Sequence, residues 1–256
     1  MNSKIIVCLT FDFDAESVQI RQREELGRVS KGQFAVNRGI PRILTLLRKH
    51  DIKATFFTCG WVADEYSESV KNILEDNHEL AAHGYLHEHL NELSLIEEKI
   101  VIEKMMESLN GFNVDIKGFR APYWQLSHNT LKLISEAGLL YDSSLFSDDR
   151  PYILQSLNLV EFPVEWFLDD WVIFEIHQHS PNTAYEIWQS QFETFINEDD
   201  VPSNLKIFTL TCHPAAIGHS YRLKVLERLI EYMKTKKAIF LKMKDATDYI
   251  INERPL

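Results

Sequence analysis

Apolar runs of strand length recur along this chain and alternate with amphipathic stretches of helix length, and no other pattern constrains its fold more. Lys4–Leu9, Ala54–Cys59, Glu79–Ala82, Lys117–Arg120, Leu139–Tyr141, Leu159–Val164, Lys206–Cys212 and Ala238–Met243 read as strands. Between them lie helical signals. Pro41 stands in the first turn of a helix starting at Ile40, and Val70, Ile73 and Leu74 share a helical face. Ser94 and Glu97 form a capping box for a helix whose face is read as Ile96, Ile100, Val101 and Leu109. Ser127 caps a helix over Thr130–Ala137 that Gly138 stops, and Thr183–Ile196, Tyr221–Lys234 and Lys244–Ile251 follow. Residues 17–39 are polar and aperiodic and read as a long loop. Strand–helix alternation of this kind builds parallel βαβ units. With no Gly/Ser-rich linker and no repeat, the whole chain, 1–256, is expected to form a single α/β domain of closed-barrel type.

In such barrels chemistry sits on loops after the carboxyl ends of strands, and the reactive residue types fall there. Asp12, Asp14 and Glu16 follow the first strand; Asp12 and Asp14 are two apart and point the same way on an extended backbone. Like charges that close need a cation or an arginine between them. His83 and His87 form a His-x-x-x-His pair after the third strand. On a helical turn both imidazoles would face one ion. Two histidines and a carboxylate leave open positions on Zn²⁺ or Fe²⁺, and a bound ion lowers the pKa of its water towards neutrality. Arg120 ends another strand and could hold Asp12 ionised through a bidentate pair. His213 ends the strand that closes on Cys212. Each phrase alone has an ordinary reading: a turn, a surface pair, a salt bridge, a half-buried histidine. His89 points away from His87 and reads as structural, and His177 and His179 as surface or pocket rim.

Composition narrows the setting. A net charge of −11 without a basic stripe disfavours nucleic acid. No run of about 18 apolar residues exists, so no membrane span is expected. Cys8, Cys59 and Cys212 are widely spaced inside apolar runs and read as buried, reduced thiols. Met1-Asn2-Ser3-Lys4 leads almost directly into the first strand, with no signal peptide read there, so a cytoplasmic protein is expected.

Five phrases in order resemble the NodB-homology polysaccharide deacetylase family: Thr10–Glu16, His83–His87, Arg120-Ala121-Pro122-Tyr123, Asp169-Asp170-Trp171 and Leu210–His213. The similarity spans residues 4 to about 245. It implies a distorted (β/α) barrel of about seven strands. It implies Asp12 as catalytic base, Asp14, His83 and His87 as ligands of one divalent metal, and Arg120 as the group holding the base. Zinc is the first candidate, ahead of iron, cobalt or nickel. Further, it implies the Tyr123 N–H as oxyanion donor, Trp124 and Trp171 as substrate contacts, and His213, tuned by Asp170, as the acid that protonates the leaving amine.

The pattern departs from the common one at Phe13, which separates the two aspartates, at Gly84 in place of Ser or Thr, and at Pro214 in place of an acidic residue. With Arg38–Pro41 and Phe162–Val164, these variants resemble a branch holding a peptidoglycan deacetylase, cyclic-imide hydrolases and allantoinase-like proteins. The expected activity is metal-dependent removal of an N-acetyl or similar acyl group from an amino sugar, either a small molecule or a lipid-linked conjugate. Ring opening of a cyclic imide or ureide is the alternative, and a silent carbohydrate-binding module the reading from another class. A homo-oligomer is left open.

Overall fold

The computed structural model describes residues 4–198 and 205–252. Met1–Ser3, on which the expectation of a missing leader partly rested, lie outside the described residues. Strand β1 (Lys4–Phe13), ten residues long, opens the fold. It is followed by α1 (Ser17–Arg21), α2 (Leu26–Phe34), a π-helical turn (Ala35–Gly39) and α3 (Ile40–His50). Next come β2 (Thr55–Thr58), α4 (Gly60–Glu65), α5 (Ser67–Glu75), β3 (Glu79–Ala82) and α6 (Leu95–Asn110). Then follow β4 (Gly118–Phe119), α7 (Thr130–Glu136), β5 (Tyr141–Asp142), β6 (Tyr152–Leu154) and β7 (Leu159–Glu161). The chain continues through α8 (Pro181–Asn197), β8 (Leu205–Cys212), α9 (Pro214–Ile217), α10 (Ser220–Thr235), β9 (Ile239–Phe240) and α11 (Met243–Asn252).

The strands form one sheet in the order β6-β7-β5-β4-β3-β2-β1-β8. Every pairing along it is parallel except β6 with β7. β1 carries β8 along one edge, while β9 pairs at Ile6–Val7 and β2 at Thr10–Phe13. The barrel is distorted: eight strands curl into a half-barrel, and a parallel bridge between Asp169 and Thr211 brings the segment after β7 alongside β8.

Side-chain alternation along β1 divides the interior. Val7, Leu9, Phe11 and Phe13 belong to the large cluster packed against the helices. Ile6 and Cys8 belong to the smaller cluster with Phe57, Tyr141, Phe162, Ile207 and Met243. Thr10, Asp12 and Asp14 continue that second face upward, so one strand supplies an apolar floor and a polar rim. The three cysteines are buried and unpaired, as expected. Among the described residues no helix is long and apolar enough to cross a membrane.

Two local expectations are corrected. Residues 17–39 are helical rather than a loop. They lie largely over the carboxyl ends of the strands, where Val18, Gln19, Lys31 and Gly32 line the cavity and only Ala35 and Val36 meet the core, so they carry little core-facing periodicity. On α6 the buried residues are Glu98, Ile102, Met105 and Leu109, while Ile96 and Ile100 are exposed. Glu98 occupies the buried stripe because the Ser127 and Thr130 hydroxyls donate to its carboxylate, and a charge in that stripe masks its true phase.

Glycines let the helical cover press onto the sheet. A Cβ on Gly39 would lie 2.3 Å from the Pro214 carbonyl oxygen, and one on Gly218 would lie 2.5 Å from Gly39 Cα. Both obstacles are backbone, so neither can swing aside. Gly39→Ala should therefore cost about 1–3 kcal/mol, the usual scale of overpacking. Urea titration of the variant would check this by a lower midpoint at unchanged slope.

Candidate active site

The site is a cavity of about 380 Å³ at the carboxyl ends of the strands, covered by α1 and α2. Its deepest charged pair is Asp12 with Arg120, both buried. Arg120 follows β4 and reaches across the barrel. Its Nη1 donates to Asp12 Oδ1 at 2.6 Å and to Thr10 Oγ1 at 2.9 Å. Nε donates to the Ser143 carbonyl at 3.1 Å and Nη2 to Ser143 Oγ at 2.8 Å. The guanidinium lies 4.1 Å over the Phe57 ring. The expected bidentate pair is therefore corrected to a single short bond, because Ser143 takes the other edge of the fork. Burial pushes the Asp12 carboxyl up, but Arg120, then His83 and His213, outweigh it and hold the group below the usual carboxylate range.

His83 follows β3 directly, and His87 sits four residues on in an extended turn rather than a helical one. Gly84 makes that turn with φ +69°, where a Cβ would lie 2.9 Å from Pro122 Cγ. Glycine in place of Ser or Thr thus has a steric reason here. The Glu88 carboxylate accepts the Tyr85 and Leu86 N–H groups and fixes the loop. His83 Nδ1–H donates to the Arg120 carbonyl at 2.7 Å, which turns Nε2 towards Asp14, 3.4 Å away. His87 Nε2 lies 3.8 Å from the same carboxylate oxygen, and its ring meets Tyr123 edge-on at 4.4 Å. Burial, reinforced by His83 and His213, drives His87 well below the normal imidazole range, so it is neutral. Burial raises Asp14, with His83 and His213 opposing.

His213 follows β8. Its Nδ1–H and its backbone N–H both donate to Asp170 Oδ1 at 2.8 Å, and Nε2 points back towards Asp12 Oδ2, 3.9 Å away. Burial alone would depress the imidazole, but Asp169 and Asp170 outweigh it and push it well above normal. Asp169, 3.6 Å from the same ring nitrogen, accepts the Trp171 and Val172 N–H groups. Burial, with Asp170 and Asp12 adding, pushes Asp169 up to about 7.

Tyr123, Trp124 and Trp171 line the cavity, so all the expected residues converge, with Asp170 one step behind His213. Tyr123 and Trp124 both hold φ +56°, a strained pair of the kind found at functional turns. His89 stacks flat on Tyr123 at 4.1 Å, away from Asp14, and His177 and His179 stack on each other outside the cavity. Sequence reasoning missed Thr10, Ser143, Lys31 and Trp166. Thr10 had a signal, since it precedes Asp12 by two on the same strand. Ser143 had one too, directly after a strand. Lys31 lay in the presumed loop; it pairs with Glu175 at 2.6 Å and sits 4.4 Å over the Trp171 ring.

The family model for polysaccharide deacetylase matches residues 2–141, more than half of the chain. A peptidoglycan deacetylase of Helicobacter pylori is 27% identical over 277 residues, covering 93% of both chains. A candidate polysaccharide deacetylase from Mycobacterium smegmatis superposes with a TM-score of 0.87 at 29% identity, over 100% of this chain and 94% of that one. An allantoinase shares the fold, with a TM-score of 0.89 at 19% identity over 100% and 93%. The relatives named deacetylases place this chain among hydrolases of carbon–nitrogen bonds. The chain belongs to the polysaccharide deacetylase family, of NodB-homology type.

Arg120→Ala should leave the Asp12 carboxylate buried without its counter-charge, a loss on the order of 3–5 kcal/mol. Urea or thermal unfolding of the purified variant would measure it, and unchanged stability would show that the pair is dispensable.

Proposed function

We propose that this chain is a metal-dependent amide hydrolase that removes an N-acetyl, or similar N-acyl, group from a small or lipid-linked amino sugar in the cytoplasm. One observation carries the reading. Asp12, held ionised by Arg120, and His213, held protonated by Asp170, lie 3.9 Å apart beside the Asp14, His83 and His87 cluster. A base and an acid in opposite charge states flank one position, which is what amide hydrolysis needs.

The donor set fits a metal ion. Ligand atoms about 2.0–2.2 Å from one ion at tetrahedral angles stand roughly 3.3–3.6 Å apart. Here Asp14 Oδ1 lies 3.4 Å from His83 Nε2 and 3.8 Å from His87 Nε2. His87 is kept neutral by burial and His83 is oriented through Nδ1, both as a ligand requires. Two imidazoles and one carboxylate favour zinc, with iron, cobalt or nickel as substitutes. A divalent ion bound there supplies Lewis-acid polarisation and a more acidic water.

The chain's own residues do the rest. Asp12 accepts a proton from the attacking water. The Tyr123 N–H, presented by its left-handed turn, donates to the oxygen on which charge develops. His213 passes the Nε2 proton to the departing amine, while Asp170 keeps the imidazolium charged and its ring in place. Trp124 and Trp171 give flat apolar walls to a sugar ring, and the helical cover limits the cavity to a small substrate portion. The three unpaired thiols suit a reducing compartment.

The allantoinase of the same fold favours one second reading, ring opening of a cyclic imide or ureide. Release of acetate from N-acetylated amino sugars, set against consumption of cyclic imides without acetate, decides between them.

In the deacetylase reading, Asp12→Asn should lower kcat by about 10²–10⁴-fold or more, the usual worth of a general base. Its metal content should stay at that of the wild type, because Asp12 is not a ligand, whereas Asp14→Asn should lose the ion. Elemental analysis beside the acetate assay checks both, and a metal-free Asp12→Asn would overturn the division of roles.

The pH dependence follows from His213. The acid must carry its proton, so activity falls as pH rises through the imidazole's pKa. Asp170 helps hold that pKa high, so Asp170→Asn should move the alkaline limb of kcat to lower pH. A limb that stays in place in the variant would reject Asp170 as the tuning group.

A further inference from the structure

One buried charged pair takes no direct part in the chemistry above. Asp142 ends β5 and Glu161 ends β7, and the two strands pair them in register. Both side chains are fully buried. Glu161 Oε1 accepts the Ser144 N–H at 3.0 Å and the Leu145 N–H at 2.9 Å. Asp142 Oδ1 accepts the Ser144 hydroxyl at 2.8 Å. Paired in register and both bonded to Ser144, the two carboxyl groups lie side by side. Asp142 Oδ2 and Glu161 Oε2 are buried and have no hydrogen-bond partner among the described residues. Two buried carboxylates so placed repel, and one hydrogen between them relieves the repulsion and satisfies both oxygens.

What this pair holds matters more than the pair itself. Ser144 Oγ, fixed by Asp142, accepts the Ala121 N–H at 2.8 Å, at the root of the turn that carries Tyr123 and Trp124. Ser143, next in the same turn, takes two donors of Arg120 through its carbonyl and hydroxyl oxygens. We propose that Asp142 and Glu161 share one proton and act as positioning residues, fixing the Ser143–Ser144 turn so that Arg120 meets Asp12 and the 121–124 turn is aimed into the cavity. Burial pushes both carboxyl groups up, Glu161 adding to the rise at Asp142 and the Leu145 and Ser144 N–H groups opposing it at Glu161.

The kinetic part of this inference rests on the amide-hydrolase reading; the shared proton does not. Infrared difference spectra at neutral pH should show the carbonyl stretch of a neutral carboxyl group in the wild type. That band should be missing from Asp142→Asn, whose amide N–H replaces the O–H. It should also be missing from Glu161→Gln, which can itself donate to an ionised Asp142. In the acetate assay Asp142→Ala should lose about 10–100-fold in kcat, the usual scale for groups that orient catalytic residues. KM and metal content should hold, and Asp142→Asn should recover most of the loss. Rescue by the isosteric amide separates positioning from plain packing. Lack of a band lost in both amide variants would overturn the shared proton whatever the turnover. Wild-type kcat in Asp142→Ala, or equal loss in the Asn and Ala variants, would overturn the positioning role. A band lost as expected from an enzyme that cleaves no amide would remove the reading of the site and keep the proton.

Discussion

The site depends on a cation buried where three strand ends meet. Arg120 ties Asp12 of β1 to the loop after β5, and it does so with no exposure to solvent. A guanidinium in that position is tolerable only when each edge of its fork finds an oxygen, since an unpaired buried charge costs several kcal/mol. Thr10, Asp12 and Ser143 supply those oxygens, and Phe57 supplies a ring face. The same contacts set the line of Asp12, so stability and chemistry rest on one group. A network of this kind specifies a single arrangement because a partly satisfied alternative would be worse than none.

The cover over the cavity obeys a different constraint. Residues 15–39 join the apolar core at Ala15 and Ala35. Close backbone approach adds to that hold: Gly32 rides against Ala15 and Glu16, and Gly39 sits against Pro214 and Gly218. Ion pairs finish the seam, with Glu175 receiving both Lys31 and Arg222 at 2.6 Å. The consequence is a cavity partly roofed by these helices.

These two constraints explain what could be read from residues alone. The barrel was legible because buried parallel strands are apolar on both faces, and Glu79–Ala82 is found at its expected bounds. The residue types at strand ends were legible because period-two alternation places Asp12 and Asp14 on one face. The His83–His87 loop was not, since His-x-x-x-His spacing suits a helix and the chain instead turns at Gly84. The helical cover was not, because its glycines and charges meet a polar site and leave no core-facing stripe. Strand β6 was also missed: it is short, half-buried and antiparallel, so its residues resemble those of a loop. Ser143 follows a strand, but neither it nor Ser144 is of a residue type that marks a site, and their importance appears when the fold sets them behind Arg120.

Asp12 and Asp14 show how far environment, rather than residue type, divides the labour. They are two residues apart, on one face and in one low-dielectric space, yet burial is overcome at Asp12 and prevails at Asp14. The difference lies in the partners. Arg120 is a permanent cation within hydrogen-bond reach of Asp12, and His213 adds a second charge from above. Asp14 faces His83 and His87, of which His87 is held neutral, and no arginine or lysine reaches it among the described residues. A carboxylate placed so is short of a positive charge, and the lone pairs of the neighbouring imidazoles have the same need. One divalent ion answers both, whereas at Asp12 it would compete with a guanidinium already in place. In the proposed reading the internal cation serves Asp12 and an external one would serve the Asp14, His83 and His87 cluster, with Phe13 separating the two aspartates.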